Sequence, residues 1–209
     1  MLSKKVCVIG LGYIGLPTAA LLANQGFTVQ GVDINKEVVD TINNGNIHII
    51  EPDLYEYVNK AVRKGYLYAD LEPTEADIFI IAVPTPFHKG YVPNIDYIVD
   101  ATKKIAPFVR KNNIIILEST SPVGTTEKVQ AVLMDEGVDE SEIFIAHCPE
   151  RVLPGNIMKE LVNNDRIVGG INSKSTDETV NFYSQFVKGE ILATDAKTAE
   201  MAKLTENSF

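Results

Sequence analysis

The sequence predicts an α/β protein built on a doubly wound parallel sheet, a Rossmann-type nucleotide-binding domain. Three observations carry that expectation. The chain opens on an apolar run, Val6-Cys7-Val8-Ile9, that leads straight into Gly10-Leu11-Gly12-Tyr13-Ile14-Gly15. A helical stretch follows, then a second short apolar run that ends on Asp33. From there apolar runs keep alternating with helical stretches, the pattern of strands covered on both faces and joined by helices.

In chain order, strands are expected over residues 5–9, 28–32, 78–83, 114–117, 143–147, 166–169 and 190–193. Helices are expected over 14–25, 36–43, 52–64, 95–108, 125–135, 156–161, 175–186 and from 197 onward. The helix opening at Pro52 carries proline in its first turn and Gly65 just past its end, the usual asymmetry of helix termini. The stretch from His88 through Gly90 and Tyr91 to Pro93 is a polar loop. No internal repeat appears beyond the strand–helix alternation. The last stretch, from Thr194 to Asn207, reads as a strong helix start that reaches Phe209 without a glycine or proline stop. Residues 1–195 are therefore expected to form the nucleotide-binding domain, and 196–209 the start of a helix leading into further domains.

Bulk composition narrows the class. The 209 residues are 45% hydrophobic, enough for a core, and the net charge is −9 from 19 basic and 28 acidic residues. That balance argues against nucleic acid as a partner. Any phosphate must be held by backbone N–H groups and a few chosen cations. Cys7 and Cys148 are the only cysteines; they give no disulfide framework, which fits a cytoplasmic protein. No apolar stretch reaches membrane-span length, and the Ser3-Lys4-Lys5 start is no signal peptide. No membrane partner and no metal site are expected.

The glycine motif has a physical role at each position. Gly10 permits the tight turn, Gly12 lets a pyrophosphate approach the backbone, and Gly15 allows close packing of the helix. The helix N-terminus supplies N–H groups and partial positive charge. Asp33, at the tip of the second strand, suits the ribose hydroxyls and repels a 2′-phosphate. No arginine follows it in Ile34-Asn35-Lys36-Glu37, so the cofactor is read as NAD.

Three further strand ends are unusual, and ligands bind at that edge of such sheets. Ile81-Ala82-Val83-Pro84-Thr85-Pro86 is either a rigid turn or a site where Thr85 faces the pyrophosphate. Leu117-Glu118-Ser119-Thr120-Ser121-Pro122-Val123-Gly124-Thr125-Thr126 ends in a hydroxyl cluster. Thr125 or Thr126 is a candidate helix N-cap; the functional reading puts Thr120 near a nicotinamide and Thr126 near the cofactor, and the two can coexist. Cys148-Pro149-Glu150-Arg151 sets a carboxylate beside a guanidinium. That is either a surface ion pair or a site for a charged substrate, with Arg151 forking onto an anion and Glu150 as an acid or base.

Together with His48-Ile49-Ile50-Glu51-Pro52-Asp53-Leu54 and Lys203-Leu204-Thr205-Glu206-Asn207-Ser208-Phe209, these segments resemble the UDP-sugar 6-dehydrogenases. The likeness covers all of the chain but only the front part of that family's architecture. It implies NAD-dependent, four-electron oxidation of a sugar C6 alcohol to a carboxylate, through a cysteine-bound thioester that is then hydrolysed. It makes Lys203 the catalytic lysine and Asn207 its partner, on one helix face at i, i+4. A charged lysine there stabilises a developing oxyanion. Thr120 steadies a water and Glu150 assists thioester hydrolysis. Arg151, Val152, Lys203 and Asn207 contact substrate; Tyr13, Ile14, Asp33, Thr85 and Thr126 contact NAD.

The UDP-glucose branch of the family carries a second glutamate where this chain has Pro154. The resemblance therefore favours a UDP-N-acetylhexosamine, with UDP-N-acetylmannosamine ahead of UDP-N-acetylglucosamine, in surface-polysaccharide precursor synthesis. It also implies a homodimer through the central helix. The family's nucleophilic cysteine lies in a later segment, and Cys148 is read as a packing residue. The chain alone is thus expected to bind NAD without turnover. A non-catalytic NAD-binding module is the reading from a different class.

Overall fold

The structure, a computed structural model, describes residues 4–90 and 92–208. Ser3, Tyr91 and Phe209, which belong to segments read above, lie outside the described residues. The strands are β1 (Lys5–Ile9), β2 (Thr28–Val32), β3 (Leu67–Asp70), β4 (Ile78–Ile81), β5 (Ile114–Leu117), β6 (Phe144–His147), β7 (Arg166–Gly170) and β8 (Ile191–Asp195). They form one sheet in the order β3-β2-β1-β4-β5-β6-β7-β8. Strand order reverses between β1 and β4, the switch point where such sheets open a ligand crevice.

The helices are α1 (Gly15–Asn24), α2 (Lys36–Asn43), α3 (Leu54–Arg63), α4 (Asp96–Ile105), α5 (Thr125–Asp135), α6 (Ile157–Asn163), α7 (Ser173–Tyr183) and α8 (Ala196–Glu206). Alternation along the central strands divides the core in two. Val6, Val8, Ile78, Ile80, Ile114 and Ile116 face one side with α1 and α3. Cys7, Ile9, Phe79, Ile81, Ile115 and Leu117 face the other with α4 and α5. Both faces are covered, so from Val6, Ile78 and Ile114 onward these strands are continuous apolar runs. Among the described residues no helix is long and apolar enough to cross a membrane.

The structure corrects the expected fold in four places. β3 is an additional strand: only Leu67 and Ala69 of its residues are buried, while Tyr68 and Asp70 face out. An edge strand covered on one face lacks the apolar run that marks the central ones. Second, the sheet is not wholly parallel. β6 and β7 pair antiparallel, Ala146 opposite Gly170 and His147 opposite Gly169, and β8 runs parallel to β7. Third, α3 begins at Leu54 behind Asp53, which caps it at φ 64°, so Pro52 lies ahead of the helix. Fourth, the 95–108 helix changes at Ile105 into a 3₁₀ turn, Ala106–Phe108, that contains Pro107.

Two carboxylates fasten distant segments. Glu51, nearly buried, accepts the N–H groups of Gly155 at 2.8 Å and Ile157 at 2.9 Å, tying residues 48–54 to the start of α6. At the other edge α8 lies on β6, β7 and β8, with Ala196, Ala199 and Glu200 buried.

Candidate active site

The nucleotide end is made of backbone. Gly10 sits at φ +90°, and a Cβ there would come within 2.6 Å of the Ala82 carbonyl oxygen. A Cβ on Gly15 would stand 1.8 Å from the Gly10 carbonyl oxygen, whereas one on Gly12 would meet nothing within 4 Å. The turn therefore closes tightly on itself and opens only at Gly12, as the approach of a pyrophosphate requires. No side chain caps α1 and its first turn carries no acid, so its N-terminus and dipole suit an anion with no carboxylate opposing it.

The Asp33 carboxylate accepts the N–H groups of Leu11 at 3.0 Å and Asn35 at 2.9 Å, which fixes it between the glycine turn and α2. Lys36 is held by Asp40 at 2.6 Å and is not set aside for a 2′-phosphate. Tyr13 and Ile34 are exposed beside this turn. These groups fit a dinucleotide with free ribose hydroxyls.

All the remaining predicted residues but Arg151 and Thr126 meet at the switch-point end of the sheet. Ile14, Thr85, Thr120, Glu150, Val152, Lys203 and Asn207 line one cleft of about 290 Å³, together with Glu118 and the 82–84 backbone. Thr85 donates its hydroxyl to the Thr120 carbonyl at 2.7 Å, joining the β4 and β5 exits. Arg151, Val152, Lys203 and Asn207 also line an adjoining cleft of about 550 Å³ with Asn163, Asn164 and Asp165. Lys203 and Asn207 are thus on the wall common to both.

Glu150 and Arg151 do not pair with each other. Arg151 turns outward, and its Nε donates to Glu206 at 2.8 Å. Lys203 reaches the other oxygen of Glu206 at 3.1 Å. Burial works against ionisation of Glu206, yet Arg151 and Lys203 hold its carboxyl below the ordinary value. Glu150 turns inward and forms a buried ion pair with Arg166.

Arg166 also donates to the Leu161 carbonyl at 3.0 Å and lies 4.8 Å from the centroid of the Tyr183 ring. Beside them is Glu118, one oxygen accepting the Tyr183 hydroxyl at 2.7 Å and the other 3.4 Å from the Thr18 hydroxyl. Burial first, and then the charge of Glu150, push the Glu118 carboxyl up to about 8. The floor of the cleft is therefore a built ionic cluster in the protein interior. The expected alternative of a Glu150–Arg151 surface pair is overturned.

Thr126 is wholly buried and does not open into either cleft. Its N–H and hydroxyl go to Glu200 at 2.7 and 2.6 Å, and the Gly124 N–H donates to the other Glu200 oxygen at 2.6 Å. The expectation that Thr125 or Thr126 caps α5 is corrected as well. Gly124 is the cap residue, at φ 94°, and the anion comes from Glu200 on α8. Two helix N-termini thus sit at this end of the sheet, α1 open and α5 filled.

Both cysteines are buried and unpaired with each other. Burial pushes each thiol up to about 12. Neither is a thiolate near neutral pH, so neither serves as a nucleophile.

Glu118, Arg166, Tyr183, Glu200 and Glu206 received no role from the sequence. A faint signal existed for three of them. Glu118 is a lone charge closing the apolar run Ile114–Leu117, Arg166 a lone charge opening the next apolar run, and Glu200 the acid on the alanine face of α8. Nothing in the sequence pairs them.

Residues 4–187 match the model of the UDP-glucose/GDP-mannose dehydrogenase family, NAD binding domain, and the chain belongs to that family. It is 56% identical to a UDP-N-acetyl-D-mannosamine dehydrogenase of Campylobacter jejuni, over 99% of this chain and 53% of the relative. It is 51% identical to an NDP-N-acetyl-D-galactosaminuronic acid dehydrogenase of Ralstonia solanacearum, over 99% of this chain and 51% of the relative. Among solved structures, the UDP-N-acetyl-mannosamine dehydrogenase of Staphylococcus aureus superposes with a TM-score of 0.94 at 44% identity. That match covers 98% of this chain and 51% of the other. The chain spans about half the length of the relatives it matches. The expectations of a Rossmann-type NAD-binding fold and of this family are borne out.

Proposed function

We propose that this chain is the NAD-binding part of an enzyme that oxidises UDP-N-acetyl-D-mannosamine at C6 to the uronate. The observation that carries the reading is the convergence of Lys203, Asn207, Glu150 and Thr120 with Ile14 and Thr85 on one cleft beside the open N-terminus of α1. NAD, when bound, accepts the hydride. Gly10, Gly12, Tyr13, Ile14 and Gly15 take its pyrophosphate, Asp33 the adenosine ribose, and Thr85 the strand exit beside it. Lys203 and Asn207 hold the reacting C6 oxygen, and the lysine charge stabilises the developing oxyanion. Thr120 and Glu150 orient and activate the water of the hydrolytic step. Arg151 and Val152 contact the substrate from the adjoining cleft; for Arg151 this requires release from Glu206. Thr126 acts at one remove, by holding α8 through Glu200.

In this reading residues 1–195 are the NAD-binding domain, and 196–209 begin a helix that joins it to the rest of the enzyme and forms a homodimer seam. The N-acetyl-D-mannosamine dehydrogenase names of two of the relatives support the manno substrate. The galactosaminuronate relative keeps a second N-acetylhexosamine in play, alongside UDP-N-acetylglucosamine. The test is NADH formation by the full-length protein with each UDP-sugar. Two NADH per UDP-N-acetylmannosamine is the expected result. NAD binding with no NADH from any sugar would leave only a cofactor-binding module. The 209-residue chain alone is expected to bind NAD and form no uronate, because the second oxidation needs a thiol and both its own are buried and protonated.

A further inference from the structure

The floor of the cleft holds two carboxyls and one guanidinium. Arg166 lies on Glu150 and makes no bond to Glu118, whose partners are the hydroxyls of Tyr183 and Thr18. Two buried carboxylates facing one cation would leave one negative charge unpaid in the interior, which costs more than keeping a proton. The ion pair decides which one keeps it. Glu150 has Arg166, while Glu118, equally buried, has only uncharged partners, the Tyr183 hydroxyl donating to one oxygen and the Thr18 hydroxyl facing the other at 3.4 Å. We propose that Glu118 is a positioning residue, an uncharged carboxylic acid that leaves Glu150 as the single anion on Arg166 and so keeps the cleft floor neutral overall. It acts through Glu150, and its catalytic consequence rests on the reading of Glu150 given above.

The groups facing it are Thr18 from α1, Cys148 and Glu150 from the β6 exit, Arg166 from β7 and Tyr183 from α7, with Lys203 of α8 on the same cleft. The burial-raised Glu118 carboxyl, at about 8, agrees with this assignment. The sign follows directly. An acid with a raised value in the folded state favours folding below its unfolded value, and that advantage is lost as pH rises through the folded one. His147, on the opposite face of the sheet, is lowered to about 4 by its burial and acts only below about 6.5. The window from pH 6.5 to 8 lies above the range of His147 and below the unfolded range of the buried thiols Cys7 and Cys148, and there Glu118 dominates.

The variant that tests the proposal is Glu118→Gln. Glutamine reproduces the neutral acid: its carbonyl accepts from Tyr183 and its amide donates toward Thr18. Melting of the 209-residue chain is expected to fall by roughly 4–8 °C between pH 6.5 and 8 relative to the variant. Tyr183→Phe, which removes a donor that favours the ionised form, is expected to move that fall to higher pH. In the full-length enzyme turnover is expected to decline on crossing pH 8, and Glu118→Gln is expected to lose that decline. Parallel melting of the chain and both variants across the window would overturn the proposal, as would an unchanged alkaline decline in Glu118→Gln. A melting difference as expected, with no NADH formed from any UDP-sugar, would sustain the charge assignment and sink the proposed reaction instead.

Discussion

The two ends of this ligand edge are built by different means. Around β1, α1 and β2 the contacts are local and mostly backbone: Asp33 reaches Leu11 across 22 residues, and the shape of the turn comes from two glycines. Around β5, β6, β7 and α8 they are side-chain contacts between remote segments. Tyr183 reaches Glu118 across 65 residues, and Gly124 reaches Glu200 across 76. A backbone cradle tolerates neighbouring side-chain changes but no added Cβ. A side-chain cluster tolerates shape changes but no lost charge partner. In the proposed function the first binds the common cofactor and the second sets the particular chemistry.

That contrast can be broken at either end, and the largest effect is expected at the ionic cluster. Arg166→Met should destabilise the chain by about 3–5 kcal/mol, because Glu150 is left buried without its partner. Adding Glu150→Gln should recover most of that loss in denaturant titrations; a double variant no better than the single would mean Arg166 matters only for packing. At the backbone end Gly15→Ala should cost about 3 kcal/mol and abolish calorimetric NAD binding, since its Cβ has no room against Gly10.

Acid should distinguish the two ends as well. His147 on β6 is buried neutral, its ring nitrogens without partners, and burial lowers it to about 4. The stability it supports is complete above about 6.5 and is lost as pH falls through 4, roughly 3 kcal/mol in all. His147→Phe should remove that acid lability, read as melting temperature from pH 7 to pH 4. An unchanged acid limb would count against His147 as its source.

Glu200→Ala should cost about 2 kcal/mol by uncapping α5 and should speed hydrogen exchange in α8, while calorimetric NAD affinity at α1 is kept. Loss of NAD affinity would instead put Thr126 in direct contact with cofactor. Smallest is Lys36→Ala, an exposed i, i+4 pair with Asp40, expected to change stability by less than about 0.5 kcal/mol.

The backbone end was legible because its requirements are written in adjacent residues. A strand, three glycines, a helix and an acid at the next strand tip appear in order, and each has one steric or electrostatic reason. Of the cleft residues, Thr85, Thr120 and Glu150 stand out as strand ends, Lys203 and Asn207 through the family resemblance, and the structure sets them around one cavity. What failed were pairings. Glu150 and Arg151 are neighbours in sequence, and one of their two readings pairs them; successive residues leaving a strand point apart, and each finds its ion elsewhere. Thr126 was read as facing cofactor because no sequence signal says that an acid 74 residues later will occupy its hydroxyl.

The sequence by itself determined the apolar strands and the cradle at Gly10–Gly15, and it carries the NAD reading through Asp33. These follow from local sterics, burial and residue chemistry. Only the tertiary structure decided the direction of β7. Its antiparallel pairing with β6 starts the strand at the ligand edge, which is what sets Arg166 beside Glu150. Because β8 follows β7 in direction, α8 then runs back toward that edge and delivers Lys203 and Asn207 to the cleft. Strand direction at the end of a sheet depends on how a connection packs over the core, a long-range balance that no short run of residues encodes.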